Sequence, residues 1–201
     1  MRGSRLDPEN RTCFTPRVGT EEESAAVDQG GTFGRPPLEE RATIDAEAFK
    51  AVMASFAASV TVITTVDAEG QPHALTATAF SSLSKHPPLC LVCVDQRARA
   101  HAVIRRERRF AVNILKHDQA EVSTHFATSV DDKFDGIEWT PGELTGCPLL
   151  PEALAWMECR LFAEHPGGDH DIFIGELVKV GVAEGVPLVY FRGQYAELTQ
   201  P

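Results

Sequence analysis

The sequence predicts a mainly β fold, an antiparallel barrel with a few flanking helices. Three observations carry that prediction. Runs suited to strands recur from residue 60 to the end; the connections between many of them are short and rich in Gly, Asp and Pro; and the few helical stretches do not alternate with strands in the rhythm of a parallel sheet. At 201 residues the chain suits one domain, and 43% hydrophobic residues supply a sizeable core.

Residues 1–42 hold Pro8, Pro16, Pro36, Pro37, the Gly30-Gly31 pair and the acidic run Glu21-Glu22-Glu23, with few large apolar side chains and no sustained period. Such a segment buries too little to offset its ordering entropy, so a disordered or loosely attached extension is expected there. Residues 43–201 are expected to form the folded domain. Within it Phe49, Val52, Met53 and Phe56 fall at i, i+3, i+4 and i+7, which predicts a helix over residues 45–57.

Residues 60–66 and 73–80 flank the turn-rich Asp67-Ala68-Glu69-Gly70 and read as a hairpin. A third strand covers residues 89–94, after Pro87-Pro88. A short helix over 98–106, a strand over 110–115 and a surface helix over 117–127 follow. The remainder is mostly strand, over residues 155–163, 172–182 and 188–195.

A formal net charge of -10 argues against general nucleic-acid or anionic-membrane binding, which need a basic footprint. No apolar run approaches the roughly 20 residues of a membrane helix, and the N-terminus lacks a secretory apolar stretch, so a cytoplasmic protein is expected. The cysteines Cys13, Cys90, Cys93, Cys147 and Cys159 are odd in number and lack the dense spacing of a disulfide scaffold, which fits a reducing compartment. Cys90 and Cys93 form a CxxC, but residues three apart in a strand point to opposite faces. Ordinary thiols are expected, and no metal. No GxGxxG opening a helix, no GxxxxGK[ST] and no GxSxG occurs, so neither a Rossmann nor a P-loop device would hold a nucleotide.

Three stretches carry candidate chemistry. Thr76-Ala77-Thr78-Ala79-Phe80-Ser81-Ser82-Leu83-Ser84 replaces bulky side chains with small ones and hydroxyls, which suits close approach of a flat heteroaromatic ligand. On its own it fits a strand running into a Ser-rich turn better. Arg97 and Arg99 stand where a strand hands over to a helix, where guanidinium groups and N-terminal N–H groups together suit a phosphate. Arg105, Arg106, Arg108 and Arg109 read as a solvated face. The loop Glu164-His165-Pro166-Gly167-Gly168-Asp169-His170-Asp171 joins two strands and fits a surface turn or a ligand-facing loop; as a metal site it is weak.

Taken in order, these pieces resemble the flavin reductase-like family, in particular the small reductase components of two-component flavin-dependent monooxygenases. The similarity runs over residues 45–198. It is carried by residues 49–56 leading into Val60-Thr61-Val62-Ile63-Thr64-Thr65, by 76–84 followed by Pro87-Pro88-Leu89, by Phe110-Ala111-Val112-Asn113-Ile114-Leu115, by Lys133-Phe134, and by Gly168-Asp169-His170-Asp171-Ile172-Phe173-Ile174-Gly175-Glu176.

The resemblance implies a Greek-key antiparallel split β-barrel that forms a homodimer, with FAD or FMN near the subunit interface. It implies an NAD(P)H-dependent flavin reductase, using NADH or alternatively NADPH, which passes reduced flavin to a separate monooxygenase. Flavin that must leave implies modest flavin affinity. By similarity Thr76, Ala77, Thr78, Ala79, Ser82 and Ser84 line the isoalloxazine and phosphate side; Asp95, Gln96, Arg97, Ala100 and His101 follow the ribityl and phosphate chain; Asn113 sits near the cofactor. His170 meets the nicotinamide nucleotide over the exposed flavin face and positions it, helped by Arg192 and Tyr195. Relatives often carry hydroxyl residues where this chain has Ala98 and Ala100, and a lysine at Gln194. The alternative is a flavin-binding barrel that carries or senses cofactor without turnover. A nucleic-acid-binding barrel lacks the aromatic platform that single strands need.

Overall fold

The computed structural model describes residues 44–130 and 132–198, and the expected extension over residues 1–42 lies outside them. The elements run α1 (Ala46–Met53), β1 (Ala58–Ser59), β2 (Thr61–Val66), β3 (Pro72–Ala77), β4 (Phe80–Lys85), β5 (Pro88–Asp95) and α2 (Arg99–Glu107). They continue with β6 (Arg109–Ile114), α3 (Ala120–Ala127), β7 (Thr140–Pro141), β8 (Pro148–Leu149), β9 (Ala155–Gly167), β10 (His170–Val182), β11 (Val189–Phe191) and β12 (Gln194–Ala196).

Seven strands make one antiparallel sheet in the order β3-β2-β6-β9-β10-β5-β4. β3 and β4 are consecutive in the chain yet stand at opposite ends of that order, so the sheet curls until the chain steps from one edge to the other at Thr78 and Ala79. The result is the mainly β, antiparallel split barrel the sequence predicts, open along the line between β3 and the β4–β5 hairpin. A separate sheet, β1-β11-β12, and the small β7-β8 pair flank it. Among the described residues no helix is long and apolar enough to cross a membrane.

β2 is buried along its whole length, which is why it reads as a continuous apolar and threonine run. Ile63 faces a cluster built on Val92, Phe110 and Phe173, while Val62 faces a second one with Leu115, Phe126 and Phe134. The threonine hydroxyls are matched to carbonyls: Thr61 Oγ1 donates to Ala77 at 2.7 Å, Thr64 Oγ1 to Pro148 at 2.6 Å and Thr65 Oγ1 to Arg109 at 2.9 Å. At Gly175 of β10 a Cβ would run into the Phe110 ring and Cys159, so glycine is what lets that ring cross the strand. Cys90 turns into the same cluster, its Sγ 3.8 Å from that of Cys159, while Cys93 lies on the other strand face, half-buried.

The structure differs from the predicted elements at three places. Residues 76–84 are not a strand end and turn: the chain bends at Thr78 and Ala79 and then forms β4, whose small exposed side chains suit a sheet edge. The predicted strand over 188–195 is a hairpin, because Arg192 and Gly193 take left-handed conformations, φ 50° and 79°. The first helix ends at Met53, and Asp45 caps its start by accepting from the Ala48 N–H at 2.7 Å. No residue of α1 is buried: Phe49, Val52 and Met53 are 59%, 70% and 52% exposed, and Phe56 just beyond the helix is 70% exposed.

Candidate functional site

A cavity of about 620 Å³ opens at the split. One wall is β3 from Pro72 to Thr76; another is the end of β5 and the start of α2, through Asp95, Arg97, Ala98 and Arg99; a third is the end of α3 with Thr128, Ser129, Val130 and Lys133.

Its polar groups are fixed by the fold. Asp95 accepts from the Arg97 backbone N–H at 2.8 Å and from the guanidinium Nη2 at 2.7 Å, which holds the exposed Arg97 side chain at the mouth. Those contacts hold the Asp95 carboxyl far below the usual carboxylate range. Ala98 is the N-cap of α2 and makes no side-chain capping hydrogen bond, so the N-terminus of the helix, with its positive dipole end, stands at the cavity beside Arg97. Lys133 Nζ donates to the Ala74 and Phe126 carbonyls at 3.0 and 2.8 Å. Burial, and then the Arg99 charge, lower the Lys133 pKa, so an anion seated between the two cations would reverse that penalty. His73 stands on the rim, its Nε2 donating to Asp67 at 3.1 Å. This set of donors fits a phosphate-bearing ligand, and the walls of β3 and α3 give its planar part apolar surface.

Directly beside the cavity, Asp95 and His170 are register partners on β5 and β10. The His170 side chain is 42% exposed, and its Nδ1 lies 2.8 Å from the Asp169 carboxylate, which that contact holds below the ordinary range. An ionised carboxylate only accepts, so Nδ1 carries the proton and Nε2 is left to meet a ligand.

Residues 53–199 match the model of the flavin reductase like domain. The chain belongs to the flavin reductase-like family. It is 38% identical over 156 residues to the flavin reductase (NADH) of Kitasatospora aureofaciens, covering 76% of this chain and 82% of that one. It is 39% identical over 152 residues to the reductase component of the 4-nitrophenol 4-monooxygenase/4-nitrocatechol 2-monooxygenase of Rhodococcus opacus, covering 76% and 80%. Among solved structures, the NADH:FAD oxidoreductase of Streptomyces globisporus C-1027, in complex with NAD and FAD fragments, has a TM-score of 0.73 at 31% identity, covering 79% of this chain and 98% of that one.

Within this family member the expected site residues divide. Thr76, Asp95 and Arg97 line the cavity, and Gln96 and His170 stand next to it. Thr76 uses its hydroxyl to donate to the Ser123 carbonyl at 2.7 Å. Ala77 ends β3, and Thr78 and Ala79 form the exposed bend beyond it. Ser82 and Ser84 lie on the exposed edge strand β4. The other expected residues lie outside the cavity lining. Asn113 is fully buried: its Nδ2 donates to the Val62 carbonyl at 3.2 Å and its Oδ1 accepts from the Leu150 N–H at 2.9 Å, so it ties β2 and β6 to the loop after β8. Ala100 and His101 are also buried, turned into the barrel by their place on the inner face of α2. Arg192 and Tyr195 belong to the β11–β12 hairpin. Arg192 N–H donates to Ala54 after α1 at 2.8 Å, and the Tyr195 hydroxyl donates to Ser123 of α3 at 2.9 Å, so within one chain their contacts run to those helices and not to His170. Lys133, quoted in the family pattern but given no role there, lines the cavity as well, whereas Arg99 lines it where the sequence put a phosphate-binding arginine. A single lysine among Asp131, Asp132 and Asp135 is the trace of the former in the sequence.

Proposed function

We propose that this chain is an NADH:flavin oxidoreductase that transfers a hydride from the reduced nicotinamide nucleotide to FAD or FMN and supplies the reduced flavin to a separate monooxygenase. The observation that carries the reading is the cavity at the split: a cationic, helix-terminated phosphate cradle placed one strand pair from an exposed histidine. The family match and the NADH-dependent relatives support it.

The flavin, when bound, supplies the hydride acceptor. Lys133, Arg99, Arg97 and the N-terminal N–H groups of α2 would hold its phosphate. β3 and the bend at Thr78 and Ala79 would lie along its ring, with short side chains allowing close backbone approach. His170 Nε2 would hydrogen-bond the nucleotide and set its approach. Positioning of this kind is the protein's main contribution to a direct hydride transfer, and no side chain need act as a nucleophile or obligatory proton relay.

The exposed apolar face of α1 is expected to be covered by a second copy, making a homodimer, because four large apolar side chains of one short segment stand exposed among the described residues. Residues 43–201 form the reductase unit, and its use of the NADH pool sets it in the cytoplasm. The test is steady-state oxidation of NADH and of NADPH, each with FAD and with FMN. NADH oxidation that depends on added flavin is expected, and its absence in all four combinations would leave only a carrier or sensor.

A further inference from the structure

Asp171 follows His170 in β10 and, by the strand's alternation, turns its side chain to the opposite face. There it is buried, and its two oxygens are taken by two different parts of the chain. Gln96 Nε2 donates to Oδ1 at 3.0 Å, and His101 Nε2 lies 2.7 Å from Oδ2. The side chains of His101 and Asp171 are 8% and 11% exposed, and the His101 ring packs on Phe173 at 5.1 Å between centroids. Because Asp171 is held ionised by these contacts, it accepts from both, so His101 carries its proton on Nε2.

The three residues sit where the two halves of the site meet. Gln96 lies between Asp95 and Arg97 of the cavity wall, and its backbone N–H donates to the Asp169 carbonyl at 3.1 Å, inside the His170 loop. His101 is on the first turn of α2, whose N-terminus borders the cavity. One carboxylate therefore joins the end of β5, the start of α2 and the start of β10.

We propose that His101 and Gln96, acting through Asp171, are positioning residues that hold His170 in register with the flavin cradle, so that the nicotinamide nucleotide is received at a fixed place relative to the cavity. The proposal rests on His170 meeting the nucleotide, the reading given above. Neither His101 nor Gln96 needs to touch the nucleotide: both fix the backbone on which His170 stands. A loosened Asp171 would let that first residue of β10 and its loop shift, at little cost to the barrel, because the rest of β10 keeps its pairing with β5 and β9.

The experiment compares His170→Ala, His101→Leu, His101→Gln, Gln96→Ala and the double variant His101→Leu/His170→Ala in the full chain, with flavin saturating and NADH varied. Loss of one hydrogen bond to a charged group predicts about a tenfold rise in the KM for NADH for His101→Leu. The kcat should stay within about threefold, as expected when binding alone is lost. His101→Gln, which restores an N–H donor, should recover most of that rise. Gln96→Ala, at an exposed position that spares the core, should raise KM in the same direction. The double variant should match His170→Ala alone. If His170→Ala raises KM while His101→Leu and Gln96→Ala do not, or if the two histidine changes multiply in the double variant, the positioning role is wrong. If His170→Ala itself leaves KM unchanged, the reading of His170 fails, and the proposal with it. Should His101→Leu fold poorly, Gln96→Ala and His101→Gln carry the decision.

Discussion

α1 and α2 are short helices of 8 and 9 residues with apolar positions at helical spacing, yet their apolar faces meet opposite fates. α2 buries Ala100, His101, Val103 and Ile104 against the barrel, whereas α1 buries nothing and leaves Phe49, Val52 and Met53 more than half exposed. The spacing tells where a helix forms; it does not tell which molecule covers it. α2 is a member of the chain's own core and carries one wall of the site, and α1 is a surface that a second copy would complete.

The largest effect that separates the two helices is on the stability of the chain itself. Ile104→Ala empties a fully buried position and is expected to lower the unfolding free energy by about 2–5 kcal/mol. Val52→Ala on α1, studied by urea unfolding at protein concentrations low enough for the monomer, should stay within about 0.5 kcal/mol of the parent. Equal losses would mean that α1 is covered within the chain after all.

The next effect appears only on association. Phe49→Asp combined with Val52→Asp places two charges on the face that a second copy would bury, and should weaken dimerisation at least about a hundredfold. Light scattering over a concentration series would read this as a shift from dimer to monomer. A parent chain that is monomeric throughout that series would remove the second copy from the interpretation.

How much of this could be read in advance follows from the same contrast. Local pattern located both helices, the β2–β3 hairpin and the long β9–β10 pair, because each is written in apolar spacing and turn residues close together in sequence. β4 was hidden because Ser81, Ser82 and Ser84 look like a turn, and only pairing with β5 makes that segment a strand. The cavity wall was legible where it lies on one segment, as with Arg97 and Arg99, and through the family pattern for Asp95. It was illegible where it depends on distant contacts. Lys133 reaches the cavity by donating to Ala74, 59 residues away, and His101 finds Asp171 across 70 residues, so no local period marks either. Asn113 is a residue of the family pattern whose hydrogen bonds bridge strands, a role no local period marks either.

Within the site, Lys133 offers a smaller test of what the α2 wall needs opposite it. Lys133→Met removes the cation that faces Arg99 across the cavity and should weaken flavin binding about tenfold, read by quenching of flavin fluorescence. The melting temperature should be compared as well, since Nζ also ties the Ala74 and Phe126 carbonyls. Unchanged flavin affinity would place the phosphate elsewhere.

The smallest expected effect is the pH dependence of the tie between α2 and β10. Asp171 has its carboxyl held below the ordinary value of 3.8, first by the hydrogen bond from Gln96 and then by the one from His101. A folded-state pKa below the unfolded one means that the unfolded chain binds more protons in that window, so this contribution to stability rises with pH. It is present in full above the unfolded value and is lost as pH falls from there through the folded one. Asp171→Asn abolishes the titration while keeping the side chain's shape. The stability difference between parent and variant, followed by urea unfolding across a pH series, should therefore be level above about pH 5 and shrink below the ordinary carboxylate value. A difference that stayed constant down to acid pH would show that Asp171 holds α2 by shape and packing and not by its charge.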